Sequence, residues 1–242
     1  MESITLKSIY SDKLKEIIGV SHTESDVYHD DDTFYKIFVK LKGHRREMLD
    51  KKVERLNEFG YIENVLLPEK KIISRELGFC GFTTKYINNS SPLYTKNLSS
   101  TELFNILKET SITLKTIHDH EIIVGDCNFG NILLDRDNNH YIIDTNSFKF
   151  DEFDSYMSPK ITKDFYRKVK DELYLSSENN DRLTFLLEYL YRIFDDTIYE
   201  IDDKTFDEKC EKVEELNKVK KLVKTIKKED KGIPYIPYFH EL

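Results

Sequence analysis

The sequence predicts an α+β protein in two parts, a strand-rich first part with one helix and a mainly helical second part. β-type runs separated by polar turns dominate up to residue 88. A polar connector with one proline follows at residues 88–98. Beyond it, apolar residues recur at helical spacing. We therefore predict one domain over residues 1–88 and a second over residues 89–242.

The first part is predicted to be a small antiparallel sheet that carries one helix. Five β-compatible runs are visible, at residues 14–20, 25–29, 33–39, 71–74 and 79–87. The first three read as a meander. Between the third and fourth runs, residues 44–59 are predicted to be helical, with Leu49, Val53 and Leu56 on the inward side.

The second part is predicted from helix signals. Ser99 and Glu102 have the spacing of a capping box, which opens a helix that should end near residues 118–120. Residues 181–194 are apolar on several faces and are predicted to form a buried helix. A charged stretch at residues 161–172, a long charged helix at 204–229 and an extended tail from Gly232 complete the prediction.

The composition is that of an ordinary folded protein. Of 242 residues, 39% are hydrophobic and 34% are charged, and the net charge of −8 argues against nucleic acid as a partner. Three widely spaced cysteines, Cys80, Cys127 and Cys210, suit a reducing compartment and offer no metal framework. No signal peptide or bilayer-length apolar run is visible. We expect a cytoplasmic protein without a membrane segment, or one exported by a route that leaves no readable signal.

Residues 122–148 contain the most informative motif. Asp126 and Asn131 precede an apolar run, a polar turn spans residues 135–140, and a second apolar run ends at Asp144. This pattern predicts a β-hairpin with the two first residues at its entrance and Asp144 at its exit. Three oxygen-bearing side chains that converge would suit Mg²⁺ and the phosphates that it carries. Taken alone, the pattern is more typical of a surface hairpin with ordinary turn acids than of an ion site.

The whole order of elements resembles the protein-kinase-like fold, in an atypical, minimal bacterial or viral form. Residues 124–126, Val-Gly-Asp, stand where this family has H-R-D or H-G-D. Asp126 and Asn131 reproduce its D-x-x-x-x-N spacing, and Asp144 falls at the D-F-G aspartate. Lys36, in Tyr-Lys-Ile-Phe, resembles the lysine of V-A-I-K.

Three further segments carry the resemblance. Residues 84–87 lie where the nucleotide-binding hinge is expected, and residues 157–160 resemble the A-P-E segment. Asp181 opens a buried helix, as does the aspartate that holds the family's catalytic loop. The resemblance therefore implies a two-lobed fold over residues 14–200, with a small β lobe and a mainly helical C-lobe.

The resemblance also implies roles for individual residues. Lys36 would hold the α- and β-phosphates of ATP, and Asn131 and Asp144 would bind Mg²⁺. Asp126 would orient the acceptor hydroxyl, which makes Asp126 and Lys36 the predicted catalytic pair.

Nucleotide binding is assigned by the same resemblance. Lys85, Tyr86 and Ile87 would contact the nucleotide at the hinge. An acid of the helix should pair with Lys36, with Glu47 as the first candidate and Glu54 as the second.

Several positions depart from the family pattern. There is no G-x-G-x-x-G; Gly19 alone marks the first turn, and the hydroxyls of Ser21, Thr23 and Ser25 are expected to replace the usual phosphate cradle. The other substitutions affect regulation and acceptor choice: Gly125 for the arginine that reads a phosphorylated loop, Asn128 for a lysine, Thr145-Asn146 for Phe-Gly, and Lys160 for the A-P-E glutamate. Together they favour a kinase that is not switched by loop phosphorylation.

The function predicted first is an ATP- and Mg²⁺-dependent protein serine/threonine kinase, with Mg-ATP bound between the lobes and a protein substrate as partner. The second is a small-molecule kinase of the aminoglycoside or choline type. The third is a pseudokinase that keeps the fold as a binding module. Against the third, Lys36, Asp126, Asn131 and Asp144 are all present.

Overall fold

A computed structural model describes residues 1–5, 15–16, 25–155, 159–169, 176–228 and 233–242. The chain divides into two compact units. Unit 1 comprises Met1–Ser90 and Asp135–Asn146, and unit 2 comprises Ser91–Leu134 and Ser147–Leu242. The fold is α+β, as predicted, and in the described part of the chain no helix has the length and apolar character needed to cross a membrane.

Unit 1 is built on one sheet. Its strands are β1 (Glu2–Thr5), β2 (Lys15–Glu16), β3 (Ser25–His29), β4 (Thr33–Phe38), β5 (Lys70–Ser74) and β6 (Gly78–Lys85), in the order β1-β5-β6-β4-β3-β2. The meander β2-β3-β4 is antiparallel, as predicted. The short strand β9 (His140–Ile142) also belongs to this unit.

The prediction of a five-stranded antiparallel sheet is wrong in one respect. A sixth strand, β1, pairs with β5 in parallel, so the sheet is mixed. Most of β1 is exposed, and its four residues Glu-Ser-Ile-Thr offer only one large apolar side chain, Ile4. A strand this short and polar has no periodic signal above that of a loop.

Both faces of the sheet carry apolar clusters. Helix α1 (Gly43–Glu58) packs Val53 against Leu41, Phe79 and Phe82. A second cluster consists of Ile37, Ile72 and Cys80, with Ile4, Tyr28 and Tyr35 packed against it. Burial of these side chains fixes the register of β4, the strand that carries Lys36.

Unit 2 is mainly helical. Its helices are α2 (Ser100–Asp119), α3 (Lys160–Val169), α4 (Glu178–Phe194), α5 (Asp203–Lys212) and α6 (Glu214–Lys228), and β7 (Ser91–Pro92) pairs with β8 (Ile132–Leu134). The predicted capping box is present, because Ser99 Oγ accepts from the Glu102 amide and the Glu102 carboxylate accepts from the Ser99 amide. Helix α4 is buried along most of its length, as predicted.

The predicted single helix over residues 204–229 is two helices. The backbone leaves the helical conformation at Val213, and α6 begins at Glu214. The Asn217 side chain donates to the Cys210 carbonyl at 3.0 Å, which satisfies an acceptor that the break exposes. Lys220 and Lys224 of α6 pair with Asp207 of α5 at 2.9 and 2.7 Å, so the two helices are joined across the break.

Candidate functional site

The Lys36 side chain contacts a carboxylate that lies 108 positions away in the sequence. Its ammonium group forms an ion pair with Asp144 and donates to Asn146 Oδ1 at 3.0 Å. The Lys36 side chain is 15% exposed and that of Asp144 is 25% exposed. All three residues belong to unit 1, so the first half of the predicted site is assembled within one compact unit.

The predicted partner of Lys36 on the helix is wrong. Glu47 is exposed on α1, and Glu54 pairs with Lys71 at 3.2 Å. Within the described ranges, the acid that pairs with Lys36 is Asp144 and not a residue of α1. The physical reason is that α1 turns Lys52, Val53 and Leu56 inward, which leaves Glu47 and Glu54 on its outer side.

Asp144 is held in an unusual backbone conformation. It follows β9 with a φ of 61°, in the left-handed region that aspartate tolerates better than most residues. Main-chain hydrogen bonds fix the strand before it, because the Leu66 amide donates to Ile142 O at 2.9 Å and the Ile142 amide donates to Asn64 O at 2.8 Å. The position of Asp144 is therefore set by its restrained backbone as well as by its ion pair with Lys36.

The second half of the predicted site is the loop that carries Asp126. The Asp126 side chain is buried, and its two carboxylate oxygens accept from Asn131 Nδ2 and Asn128 Nδ2, each at 3.0 Å. Asn131 Nδ2 also donates to the Asp126 carbonyl at 2.9 Å. These bonds bring together Asp126 and Asn131, as their spacing predicted.

Asn128 also stabilises the loop that carries Asp126. Its Oδ1 accepts from the Gly130 amide at 2.7 Å, which caps the short 3-10 helix Phe129–Asn131. Asn128 therefore has a structural role here, where the family resemblance would place a lysine.

Asp181 fixes the backbone before Asp126. One oxygen accepts from the Val124 amide at 2.7 Å and the other from the Gly125 amide at 2.9 Å. Its side chain is 2% exposed, so these bonds form away from water. The predicted role of Asp181, which is to hold the loop, is thus visible as two direct hydrogen bonds.

Gly125 is required by space and by backbone conformation. Its φ is +74°, and a Cβ at this position would lie 2.8 Å from Ser155 Cβ. No larger residue fits without moving Ser155, so the absence of an arginine here has a steric cause in addition to the regulatory one inferred from the sequence.

The predicted hinge residues follow β6 in unit 1. The Tyr86 amide donates to the Asp32 carbonyl at 2.7 Å, and the Tyr86 ring stacks on His29 with centroids 4.0 Å apart. Lys85 is exposed, whereas the Ile87 side chain is buried. Nucleotide contact by Lys85, Tyr86 and Ile87 remains a prediction.

Part of the predicted phosphate cradle and of the A-P-E segment falls outside the described residues. This applies to Gly19, Ser21, Thr23 and residues 157–158. Ser25 is described and is buried in β3, opposite Phe38. Pro159 is buried, and Lys160 begins α3 and is exposed.

Each unit offers an oxygen atom of the kind that a hard cation takes. Because the amide nitrogen of Asn131 is committed to Asp126, its Oδ1 is the atom left to bind a ligand, and Asp144 offers a carboxylate. Oxygen atoms of this kind are the ligands that Mg²⁺ takes, usually with water and phosphate oxygens. In the described part of the chain, no three His, Cys, Asp or Glu side chains cluster as ligands for an ion held by protein alone.

Glu188 is a second acid that interacts with Asp126. Burial, and then the negative charge of Asp126, raises the pKa of Glu188 from its ordinary 4.5 to about 7. The neighbouring Cys127 is buried, and its pKa is raised by burial and by the charges of Asp181 and Asp126. A thiol that resists ionisation is a poor nucleophile, so Cys127 is a packing residue.

The raised pKa of Glu188 predicts how stability depends on pH. Between about pH 4.5 and 7 the unfolded chain loses this proton while the folded chain keeps it, so folding stability falls as pH rises. We expect Glu188→Gln to remove this loss, worth up to about 3 kcal/mol. Melting temperatures of both proteins at pH 5 and pH 8 test this prediction. The melting temperature of the variant relative to that of the wild type should be higher at pH 8 than at pH 5. An equal difference between the two proteins at both pH values would refute the assignment.

His140 also contributes to the pH dependence of stability, equally in both proteins. Burial lowers its pKa from 6.5 to about 4, so its contribution to stability increases with pH up to about 6.5, opposite in sign to that of Glu188. Because His140 is present in both proteins, it cancels from the comparison.

Comparison with protein-family models and with curated proteins found no match for this chain. The case for its function therefore rests on the residues described above.

Two residues of the site were not predicted from the sequence. Asn146, noted only as a substitution in the D-F-G segment, bonds to Lys36. His118, taken only as the end of a helix, bonds to Asp181 at 3.0 Å. Asn146 had a usable signal, because it is an amide two positions after a predicted phosphate-site carboxylate. His118 had none, since its partner lies 63 positions away.

Proposed function

We propose that this protein is an ATP-dependent phosphotransferase that acts on an alcohol group, the hydroxyl of serine or threonine in a protein substrate. The observation that carries the proposal is the ion pair between Lys36 and Asp144, residues 108 positions apart. The kinase resemblance assigns Lys36 to the α- and β-phosphates of ATP and Asp144 to the Mg²⁺ that those phosphates carry. A surface hairpin with ordinary turn acids does not require such a pair.

The loop at Asp126 supports the same proposal. Phosphoryl transfer depends mainly on positioning and on neutralisation of charge. Asp126 is restrained by Asn128 and Asn131, and the preceding backbone is restrained by Asp181. A carboxylate with this many restraints is preorganised to orient an acceptor hydroxyl and to take its proton.

Roles for the remaining residues follow from their chemistry. Bound Mg-ATP would supply the γ-phosphoryl group and, through the ion, neutralise its charge. Asp144 and Asn131 would hold the ion through oxygen atoms. Lys36, which neutralises Asp144 here, would hold phosphate oxygens as a point charge.

Phosphoryl transfer from labelled ATP tests the proposal. The protein is incubated with Mg²⁺ and γ-labelled ATP alone, with a generic protein acceptor, and with small amines or alcohols, beside Asp144→Asn. We expect label on protein, Mg²⁺-dependent and absent in the variant. Label only on a small molecule would favour the small-molecule kinase, and no transfer together with no ATP-dependent change in melting temperature would favour the pseudokinase.

The contact between Lys36 and Asn146 gives a separate prediction. Because Asn146, and not Glu47, holds Lys36, we expect Asn146→Leu to raise KM for ATP about tenfold, which corresponds to one hydrogen bond to a charged group. Glu47→Gln is the matched control and should leave KM within about twofold of the wild type. Steady-state kinetics with varied ATP measures both; the opposite ranking would restore a helix acid as the partner of Lys36.

A further inference from the structure

The last residues of the chain are hydrogen-bonded to two helices of unit 2, α4 and α2. Asn179, in the first turn of α4, donates to the Pro234 carbonyl at 3.0 Å and accepts from the Ile236 amide at 2.8 Å. At α2, Ser111 Oγ accepts from the His240 amide at 2.9 Å. We call residues 233–242 the C-terminal strap.

Aromatic packing holds the strap between these contacts. Phe239 is buried, with its ring centroid 5.5 Å from that of Phe104 and 5.6 Å from that of Tyr189. Arg182 lies over the rings of Tyr235 and Tyr238, 4.8 and 4.7 Å from their centroids. The strap is therefore packed as part of unit 2.

One strap residue reaches the network that holds the loop. The Tyr238 hydroxyl lies 2.7 Å from His118 Nδ1, and His118 Nε2 lies 3.0 Å from Asp181 Oδ2. The His118 and Asp181 side chains are 1% and 2% exposed. Because a carboxylate can only accept, Nε2 carries a hydrogen and donates it to Asp181, and Nδ1 is hydrogen-bonded to the Tyr238 hydroxyl.

The hydrogen bonds thus form a continuous chain from the strap to the catalytic loop. It runs from Tyr238 to His118, then to Asp181, and ends at the amides of Val124 and Gly125. Fixing both ring nitrogens of His118 fixes the ring's orientation, which in turn orients the carboxylate that holds the loop.

We propose that Tyr238 is a positioning residue, which sets the backbone before Asp126 through His118 and Asp181. Its consequence for catalysis rests on the proposed function, whereas its effect on the loop backbone does not. The strap would then be needed for an ordered catalytic loop as well as for burial of apolar surface.

Tyr235 makes a matched control possible. Both tyrosines stack on Arg182, but Tyr235 is 64% exposed and only the hydroxyl of Tyr238 contacts His118. Tyr238→Phe removes the hydroxyl and keeps the ring, and Tyr235→Phe does the same outside the chain of hydrogen bonds.

Amide hydrogen exchange at Val124 and Gly125 in the full-length protein is the primary measurement. We expect Tyr238→Phe to speed exchange of these two amides about tenfold, with exchange elsewhere in α2 and α4 unchanged, and Tyr235→Phe to behave as the wild type. Exchange at Val124 and Gly125 that is unchanged in Tyr238→Phe, or that speeds equally in both variants, overturns the proposal.

A double-mutant cycle identifies the route. The Tyr238 hydroxyl also interacts with Arg182. If Tyr238 acts through His118, then Tyr238→Phe should have no added effect on exchange in a His118→Leu background. An undiminished effect there means that the hydroxyl acts through Arg182 and overturns the route that we propose.

Kinetics separates this inference from the proposed function. We expect Tyr238→Phe to lower kcat about fivefold with KM for ATP unchanged, since the loop and not the phosphate-binding lysine is affected. If the wild type transfers no phosphate, the proposed function fails while the exchange result still decides the inference. If the wild type is active and Tyr238→Phe alters neither exchange nor kcat, the inference alone fails.

Discussion

Asp126→Asn is expected to abolish phosphoryl transfer, with kcat lowered about 10³-fold or more. An amide cannot accept the proton of the acceptor hydroxyl, and general-base catalysis of this kind contributes about 10²–10⁴-fold. The substitution keeps the shape of the side chain, but its NH2 group meets the donor of Asn128 or Asn131. We therefore expect a folded protein that is destabilised by about 1–3 kcal/mol.

Labelled-ATP assays on the purified variant measure this effect. Asp137→Asn is the matched control, because Asp137 is an exposed acid of the polar turn after β8. If the two variants retained similar activity, Asp126 would be no more than another turn acid. Lys36→Ala should likewise abolish transfer and leave the fold intact.

Asp181→Ala is expected to have the largest effect on stability. It removes an acceptor from three buried donors, the amides of Val124 and Gly125 and the ring of His118. Each buried donor without a partner costs about 1–3 kcal/mol, so we expect a loss of at least about 3 kcal/mol.

Urea unfolding followed by circular dichroism measures this loss. Asp202→Ala removes an aspartate that caps α5 at the surface and should cost only about 1 kcal/mol. Equal losses in the two variants would show that Asp181 contributes no more than a surface cap and does not hold the loop.

The parts of the site that could be predicted from the sequence are those set by short spacing or by a strong apolar pattern. Asp126 and Asn131 contact each other because they lie only five positions apart, in a loop that continues into a short 3-10 helix. Asp181 could be placed because it opens a helix apolar on several faces, whose burial carries its first turn into the core. The apolar run Phe-Tyr-Lys-Ile-Phe likewise predicted a strand at Lys36, which is β4; its central place in the sheet was not predicted.

The contacts that could not be predicted are those in which the sequence does not distinguish the partner from similar residues. The sequence offers Lys36 two acids of one helix, Glu47 and then Glu54. Both are excluded only by the helix face that is buried, which carries Lys52, Val53 and Leu56. The pairing of Tyr238 with His118 joins residues 120 positions apart, and neither belongs to a recognisable motif. Such contacts are determined by tertiary packing, and the local sequence pattern does not predict them.

The helix boundaries likewise divide into those that local sequence signals predicted and those that they did not. The capping box at Ser99 and the apolar repeat of α2 are local signals, and both predicted the helix. The break at Val213 is also local, but residues 204–229 are rich in lysine and glutamate on both sides of it, so helix propensity alone gives no reason to interrupt them.

Binding of Mg-ATP is the measurement that tests the central claim most directly. Titration calorimetry with ATP is performed with Mg²⁺ and with excess EDTA on the wild type, Lys36→Met and Asn131→Leu. We predict Mg²⁺-dependent binding to the wild type that either substitution weakens at least about tenfold, because Lys36 is assigned to the phosphates and Asn131 to the ion. No binding to the wild type, or binding that neither substitution affects, would contradict the account.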